Sequence, residues 1–257
     1  MFTVTPIPAF SDNYIWAISV DGDDKIIVVD PGDAQAVEQY LTRNNLTLSA
    51  ILITHHHNDH TGGVAELTAH RDISIYGPAN SPFKGITTAL SNGDEIELLG
   101  STFKVREIPG HTLDHISYLV ESEPAQIFCG DTLFLAGCGR LFEGTAKQML
   151  QAMHYFSQLA DDTEVYCTHE YSLANLSFAA AVEPDNNEIQ LAIKDCTLLR
   201  EQNQPTLPTS IGQEKKINPF MRTEQNAVIN AASAFSAKNL HSEVEVFASI
   251  REWKNQF

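Results

Sequence analysis

Basic residues are scarce in this 257-residue chain: Lys and Arg total 16 against 33 Asp and Glu, a formal charge of −17 at pH 7. A field of that sign repels phosphate backbones and anionic lipid, so neither a nucleic-acid nor a membrane-surface role is expected. Cysteine is also sparse. Cys129, Cys138, Cys167 and Cys196 are too scattered for a disulfide framework or a CxxC zinc site, and reduced, buried thiols of a cytoplasmic protein are expected. No apolar run approaches the ~18 residues of a membrane span. The first basic residue is Lys25, so the charged leading segment of a secretory signal is not expected. No G-x-S-x-G run points to a serine nucleophile. What remains is an ordinary globular composition, 43% apolar and 19% charged, sufficient for one large domain or two modest ones.

Histidine, by contrast, is concentrated. Of ten, four fall in Thr54-His55-His56-His57-Asn58-Asp59-His60. Around this string the first two thirds of the chain read as strands: Lys25–Asp30, Ala50–Thr54, Phe103–Ile108, Gln126–Cys129 and Glu164–Thr168. The last four are followed by His55, His111, Asp131 and His169, so strand ends deliver His or Asp to loops, where ligand sites commonly form. Thr145 and Gln148 form a capping box ahead of an apolar stripe of Met149, Met153, Phe156 and Ala160. From about Tyr171 the pattern turns helical: Ala174–Val182, Asn187–Glu201, Glu224–Phe235 and Ser242–Phe257. The last helix has a Ser242/Glu245 capping box and a stripe of Val246, Ile250, Trp253 and Phe257. Asn203–Pro219, with three prolines, reads as a loop. The expected division is therefore 1–170 and 171–257.

In an extended chain, residues i and i+2 face one side, so His55 and His57 can grip one cation while His56 points away. Asp59 and His60 follow as the chain approaches a helix start at Thr61-Gly62-Gly63, where the glycines allow close backbone approach, and they can serve a second cation. Each pair needs further donors. We assign His55, His57, His111 and Asp131 to one ion, and Asp59, His60, His169 and Asp131 to the other. Asp131 bridges, as carboxylates do between ions ~3.5–4 Å apart. Imidazole and carboxylate favour Zn, Fe or Mn over Ca or Mg. No Cys lies in these runs, which separates the site from a closed structural zinc site. His115 is expected in the core or in a supporting hydrogen bond, and His70, His154 and His241 as solvated or packed residues.

The THHHNDH string resembles the THxHxDH signature of the metallo-β-lactamase superfamily. Further runs narrow the resemblance: Phe10-Ser-Asp-Asn-Tyr14, Val29-Asp-Pro-Gly32, Pro109-Gly-His-Thr112, Gly130-Asp-Thr-Leu-Phe134, Gly137-Cys-Gly-Arg-Leu-Phe-Glu-Gly-Thr145, Thr168-His-Glu-Tyr171, Asn218-Pro-Phe-Met-Arg222 and Arg251-Glu-Trp-Lys254. Together, from Phe10 to Phe257, they resemble glyoxalase II, the hydroxyacylglutathione hydrolases. The resemblance implies an α/β protein, an αββα sandwich over 1–170 with a C-terminal α-helical substrate-binding domain over 171–257. Its metal ligands fall on the seven residues above, and its glutathione contacts on Arg140, Phe142, Tyr171, Arg251 and Lys254.

The implied reaction is hydrolysis of S-(2-hydroxyacyl)glutathione, chiefly S-D-lactoylglutathione, to glutathione and D-lactate, the second step of methylglyoxal detoxification. A hydroxide held by two divalent ions, Zn foremost, is the expected nucleophile, with Asp59, His55, His57 and Asp131 as catalytic residues. The chain departs from the family pattern at Asn58, at Asp114 and at Phe142, where some members carry Tyr. A monomeric cytoplasmic enzyme is expected. The alternatives are a persulfide dioxygenase with one iron, another hydrolase of the superfamily, and a non-catalytic metal-binding protein.

Overall fold

Alternating apolar residues early in the chain give way to an unbroken apolar run at Ile26–Val29, and the sheet built from them accounts for both patterns. The computed structural model describes residues 2–257. The chain divides into two compact units, Met1–Glu107 with Asp114–Gly130, and Ile108–Leu113 with Asp131–Phe257.

In the first unit, β1 (Phe2–Ala9) and β2 (Asn13–Val20) form an antiparallel hairpin with Ala9 opposite Asn13. β3 (Lys25–Val29) pairs antiparallel with β2. After α1 (Ala34–Asn44), β4 (Thr47–Leu52) returns parallel to β3. The short α2 (Asn58–Thr61) and α3 (Val64–Thr68) precede β5 (Ser74–Pro78) and β6 (Thr88–Leu90), which extend the sheet in parallel. A second sheet includes the antiparallel strands β7 (Glu95–Leu98), β8 (Ser101–Glu107), β9 (Ile116–Val120) and β10 (Gln126–Gly130).

One face of the first sheet buries Ile7, Ile15, Ile26, Val28 and Ile51 with Val37 and Leu41 of α1 and Val64 and Leu67 of α3. Asp33 caps α1 by accepting the Gln35 and Ala36 N–H groups. Trp16, Ile18, Ile27, Val29 and Leu52 are buried as well. The Tyr118 hydroxyl of β9 donates to the Ile53 carbonyl at 2.7 Å, tying the second sheet to the first. With both faces covered, β3 has no solvent side to mark with polar residues.

The second unit contains a small hairpin, β11 (Leu133–Phe134) and β12 (Gly137–Cys138), followed by α4 (Ala146–Ser157). β13 (Glu164–Cys167), α5 (Ser172–Val182) and α6 (Asn187–Glu201) come next. β14 (Thr209–Ser210) pairs antiparallel with β13, and α7 (Ile211–Ile217), a 3-10 turn at Pro219–Met221, α8 (Asn226–Ser236) and α9 (Glu243–Gln256) complete it. Both expected capping boxes are present, Thr145/Gln148 on α4 and Ser242/Glu245 on α9.

Two expectations need correction. The stretch read as a loop, Asn203–Pro219, contains β14 and α7. Ser210 caps α7 by accepting from Gln213 N–H, and Ile211, Glu214 and Ile217 are buried on one face. Two turns beside Pro205 and Pro208 give too few periods to read as a helix. The helix start expected at Thr61-Gly62-Gly63 is present, with α3 capped at Gly63, but the short α2 precedes it and takes in Asp59 and His60, which were expected ahead of any helix. An Asp in a first turn also suits the positive end of the helix dipole. On α9, Val246, Phe247 and Ile250 are buried, whereas Phe257 is 60% exposed, so the stripe weakens at its end. No helix among the described residues is long and apolar enough to cross a membrane.

Candidate metal site and its surroundings

In the first unit β3 runs into Asp30, which is buried and left-handed with φ 55°. Asp tolerates that conformation better than most residues. Its carboxylate accepts the Thr54 N–H at 2.8 Å and the Thr54 hydroxyl at 2.7 Å, and lies 2.9 Å from His60 Nδ1. An acceptor at Nδ1 fixes the tautomer that leaves Nε2 as a ligand atom, the usual arrangement behind a metal-binding His. His60 Nε2 in turn lies 3.4 Å from Asp59 Oδ2, and the Asn13 amide donates to that same oxygen at 3.1 Å. His55 Nδ1 is 3.1 Å from Thr54 Oγ1, which completes a relay to Asp30 and directs Nε2 the other way. His55 Nε2 and His57 Nδ1 are 3.1 Å apart.

These spacings suit metal ligands. Two atoms each about 2.05 Å from a tetrahedral ion sit about 3.3 Å apart. The i, i+2 pair therefore converges as expected, although β4 ends at Leu52 and the chain bends at Thr54 and His55. His56 turns away, its Nδ1 2.9 Å from Asp114 Oδ1. His115 is buried and stacks on His55 with ring centroids 4.5 Å apart. The expected close approach at Gly62 and Gly63 is present, since an added Cβ would lie 2.7 Å from the Asn58 carbonyl and 2.6 Å from the Pro31 carbonyl. Gly32 is tighter still, with Cβ falling 1.8 Å from the Asp59 carbonyl oxygen.

In the second unit His111 Nδ1 lies 2.7 Å from the Arg140 carbonyl, and its Nε2 lies 3.5 Å from Asp131 Oδ2. His169 Nε2 is 3.2 Å from the same Asp131 oxygen. All three side chains are buried. One carboxylate oxygen thus faces two imidazole nitrogens, an arrangement suited to an atom shared by two cations. Gly139 holds this turn closed: a Cβ there would be 2.0 Å from the Asp131 carbonyl oxygen and 3.1 Å from His111 Nδ1. The described residues include groups of His and Asp whose ligand atoms lie close enough together to hold a metal ion. Nitrogen and carboxylate donors with supported rings fit Zn, Fe or Mn.

The five residues expected to contact glutathione all lie in the second unit. The Phe142 ring is 60% exposed and meets the His111 ring edge-on at 5.3 Å. The Arg140 guanidinium is exposed, 5.9 Å from the Phe142 centroid. Tyr171 stacks on His169, with centroids 4.6 Å apart and planes within 3°. Arg251 is only 6% exposed. Its Nη1 donates to the Cys138 carbonyl at 2.7 Å, its Nη2 to Asn255 at 3.3 Å, and it lies over the Phe220 ring. Lys254 Nζ donates to the Ala174 carbonyl at 3.1 Å. Burial first, and the Arg251 charge second, pull the Lys254 ammonium down to about 8. The structure therefore brings Arg251 against the Gly137–Arg140 loop, Arg140 and Phe142 beside His111, and Tyr171 onto His169.

Sequence reasoning assigned no role to Asp30 or Asn13. Both stand inside quoted motif runs at strand boundaries, a signal that marks a special position without saying which side chain it serves. The burial of Arg251, one of the expected glutathione contacts, follows from packing that periodicity does not report.

Two family models meet within the chain. The Metallo-beta-lactamase superfamily model matches residues 11–169. The model described as Hydroxyacylglutathione hydrolase C-terminus matches residues 170–257. A Hydroxyacylglutathione hydrolase of Chromohalobacter salexigens is 48% identical over 257 residues, spanning 100% of each chain. One of Pseudomonas putida is 47% identical over 259 residues, again spanning 100% of each. Among solved structures, ETHE1 from Myxococcus xanthus shares the fold with a TM-score of 0.63 at 23% identity, over 99% of this chain and 98% of that one.

Proposed function

The chain belongs to the hydroxyacylglutathione hydrolases of the metallo-beta-lactamase superfamily, and from that premise we propose how its own residues hydrolyse a glutathione thioester. It is an enzyme, a hydrolase with the metallo-beta-lactamase fold and a helical C-terminal part. The substrate class is S-(2-hydroxyacyl)glutathione, chiefly the D-lactoyl thioester, and the products are glutathione and the hydroxy acid.

His55, His57, His111 and Asp131 would hold one ion, and Asp59, His60, His169 and Asp131 the other. Zinc is the metal we propose, from the donor set. When bound, such a pair supplies Lewis acidity and brings the pKa of water from 15.7 toward ~7. The chain supplies the rest. The Asp59 carboxylate, steadied by Asn13 and beside His60, accepts a hydrogen bond from the attacking water and orients it. Arg140, Phe142, Tyr171, Arg251 and Lys254 hold the glutathione moiety, with Phe142 offering a ring face and no hydroxyl. The leaving thiolate departs without a strong general acid, and we assign none. The functional division we propose is 1–170 for chemistry and 171–257 for substrate, in a cytoplasmic monomer.

The observation that carries this reading is the single Asp131 oxygen lying 3.5 Å from His111 Nε2 and 3.2 Å from His169 Nε2. The test is metal analysis paired with a lactoylglutathione assay. Two ions per chain with hydrolysis are expected. One iron per chain, with oxygen consumption on a glutathione persulfide and no thioester hydrolysis, would overturn it.

A further inference from the structure

The hairpin of β11 and β12 is too small to hold itself. Each strand has two residues, and the connecting Ala136 adopts a left-handed backbone with φ 53° although it is not glycine. An isolated two-stranded hairpin is marginal even at greater length. Its main-chain groups are satisfied instead by side chains from helices. Glu214 Oε2, on α7, accepts the Ala136 N–H at 2.8 Å. Asn218, one turn further on, donates from Nδ2 to the Gly137 carbonyl at 2.8 Å and the Phe134 carbonyl at 3.2 Å. The same amide donates to Glu214 Oε2 at 2.8 Å, and the Thr209 hydroxyl donates to Oε1 at 2.8 Å. Asn175 of α5 adds a bond to the Leu135 carbonyl at 3.1 Å.

Glu214 and Asn218 are both fully buried, at 0% exposure. Burial pushes the Glu214 carboxyl up to about 7, so the position carries an electrostatic penalty that an apolar side chain would avoid. A residue needed only for packing would not incur it. What the hairpin joins gives the reason. Asp131 lies two residues before it, and Arg140 two residues after it. Gly139 N–H bonds back to the Thr132 carbonyl at 3.1 Å, and the Arg140 carbonyl is 2.7 Å from His111 Nδ1.

We propose that Glu214 and Asn218 are positioning residues for the hydrolysis: acting as one clamp, they set the path of residues 131–140 and thereby the placement of the Asp131 carboxylate, the His111 ring and Arg140. This rests on the functional reading above. The clamp touches none of the reacting groups and acts through the hairpin alone.

The test uses Asn218→Ala, Glu214→Leu and Glu214→Gln in the full-length protein, at a temperature where circular dichroism shows each one folded. In the Gln variant the remaining oxygen still accepts from Ala136 and Asn218, and the Thr209 hydroxyl can turn to accept from the amide, so it serves as the conservative rescue. Three readouts are taken: zinc content, reaction of Cys138 with a thiol reagent located by peptide mapping, and KM against kcat on lactoylglutathione. Cys138 is buried in the native chain and should be protected. Expected for Asn218→Ala and Glu214→Leu are loss of bound zinc, labelling of Cys138 and a KM raised about tenfold or more, with Glu214→Gln near wild type. Folded Ala and Leu variants with a lowered Tm but unchanged zinc content, Cys138 protection and kinetics would overturn the proposal and leave the pair a purely structural one. If Glu214→Leu does not fold, Asn218→Ala decides alone. Zinc content and labelling need no substrate. A wild-type protein inactive on lactoylglutathione would therefore defeat the functional reading while these two readouts still judged the clamp.

Discussion

The two ligand groups are built on opposite plans. In the first unit four candidate ligands fall within six positions, His55 to His60, and neighbouring side chains aim them: Asp30 behind His60, Thr54 behind His55, Asn13 on Asp59. In the second unit His111, Asp131 and His169 are far apart in sequence, and main chain does most of the aiming, through the Arg140 carbonyl, the Gly139 approach and a helix-clamped hairpin. A site aimed by side chains fails one bond at a time, whereas one aimed by backbone fails when the chain changes course.

The sharpest break is Asp131→Ala. As the one residue proposed to serve both ions, its loss should lower the content of both and bring kcat to near background, well beyond the ~10–100-fold typical of residues that only support a ligand. Elemental analysis that finds two ions retained in this variant defeats the bridging assignment. Next comes Asp30→Ala, which removes the acceptor behind His60 and, through Thr54, the relay behind His55, and should weaken both ions by ~10–100-fold, as read by metal titration. Unchanged affinity for both ions would defeat the view that side chains aim the first group.

Lys254 sharpens the comparison on the substrate side. Its folded-state pKa, about 8, lies below the ordinary 10.5, so burial disfavours the charged form. By linkage the folded protein is less stable with the ammonium charged, and this cost fades as pH rises from about 8 toward 10.5. An anionic glutathione carboxylate needs the charged form. KM for lactoylglutathione should therefore rise as pH passes about 8, with kcat changing less. Lys254→Met should raise KM about tenfold at pH 7 and flatten that rise. Equal pH profiles for wild type and variant would remove Lys254 from the substrate contacts. The smallest effect on the metals is expected for His56→Ala: unchanged metal content, with at most about 1–3 kcal/mol of stability lost at the buried Asp114 it faces, measured by denaturant unfolding.

Much of this was legible in the chain. α6 occupies the expected Asn187–Glu201 residue for residue, because capping by Asn186 and a long apolar period agree. β3 and β10 start where their apolar runs start. The His55/His57 pair was readable because its geometry is local, two residues apart just beyond the end of β4. Asp30, Asn13 and Glu214 were not, since each acts on a residue tens of positions away and only the folded chain brings them together. α7 escaped because its signal is two turns long beside two prolines. Arg251 differs in another way: a guanidinium on a surface helix normally reaches water, and this one is enclosed, its Nη1 donating to the Cys138 carbonyl of the glycine-rich loop.

The two glycines that press on ligand carbonyls, Gly32 on Asp59 and Gly139 on Asp131, carry a consequence for how this sequence can vary. Neither adopts the left-handed backbone that usually reserves a position for glycine, so no turn rule would flag them. Each is closed to every other amino acid by a neighbouring backbone atom 1.8 or 2.0 Å from where a side chain would begin. In a saturation library selected for thioester hydrolysis, these two columns should come back blank, alanine included. Gly22, Gly93 and Gly100, which have open space around them, should admit Asn and Asp despite their positive φ. Tolerance along this chain is thus set less by residue type than by which carbonyl lies across the gap.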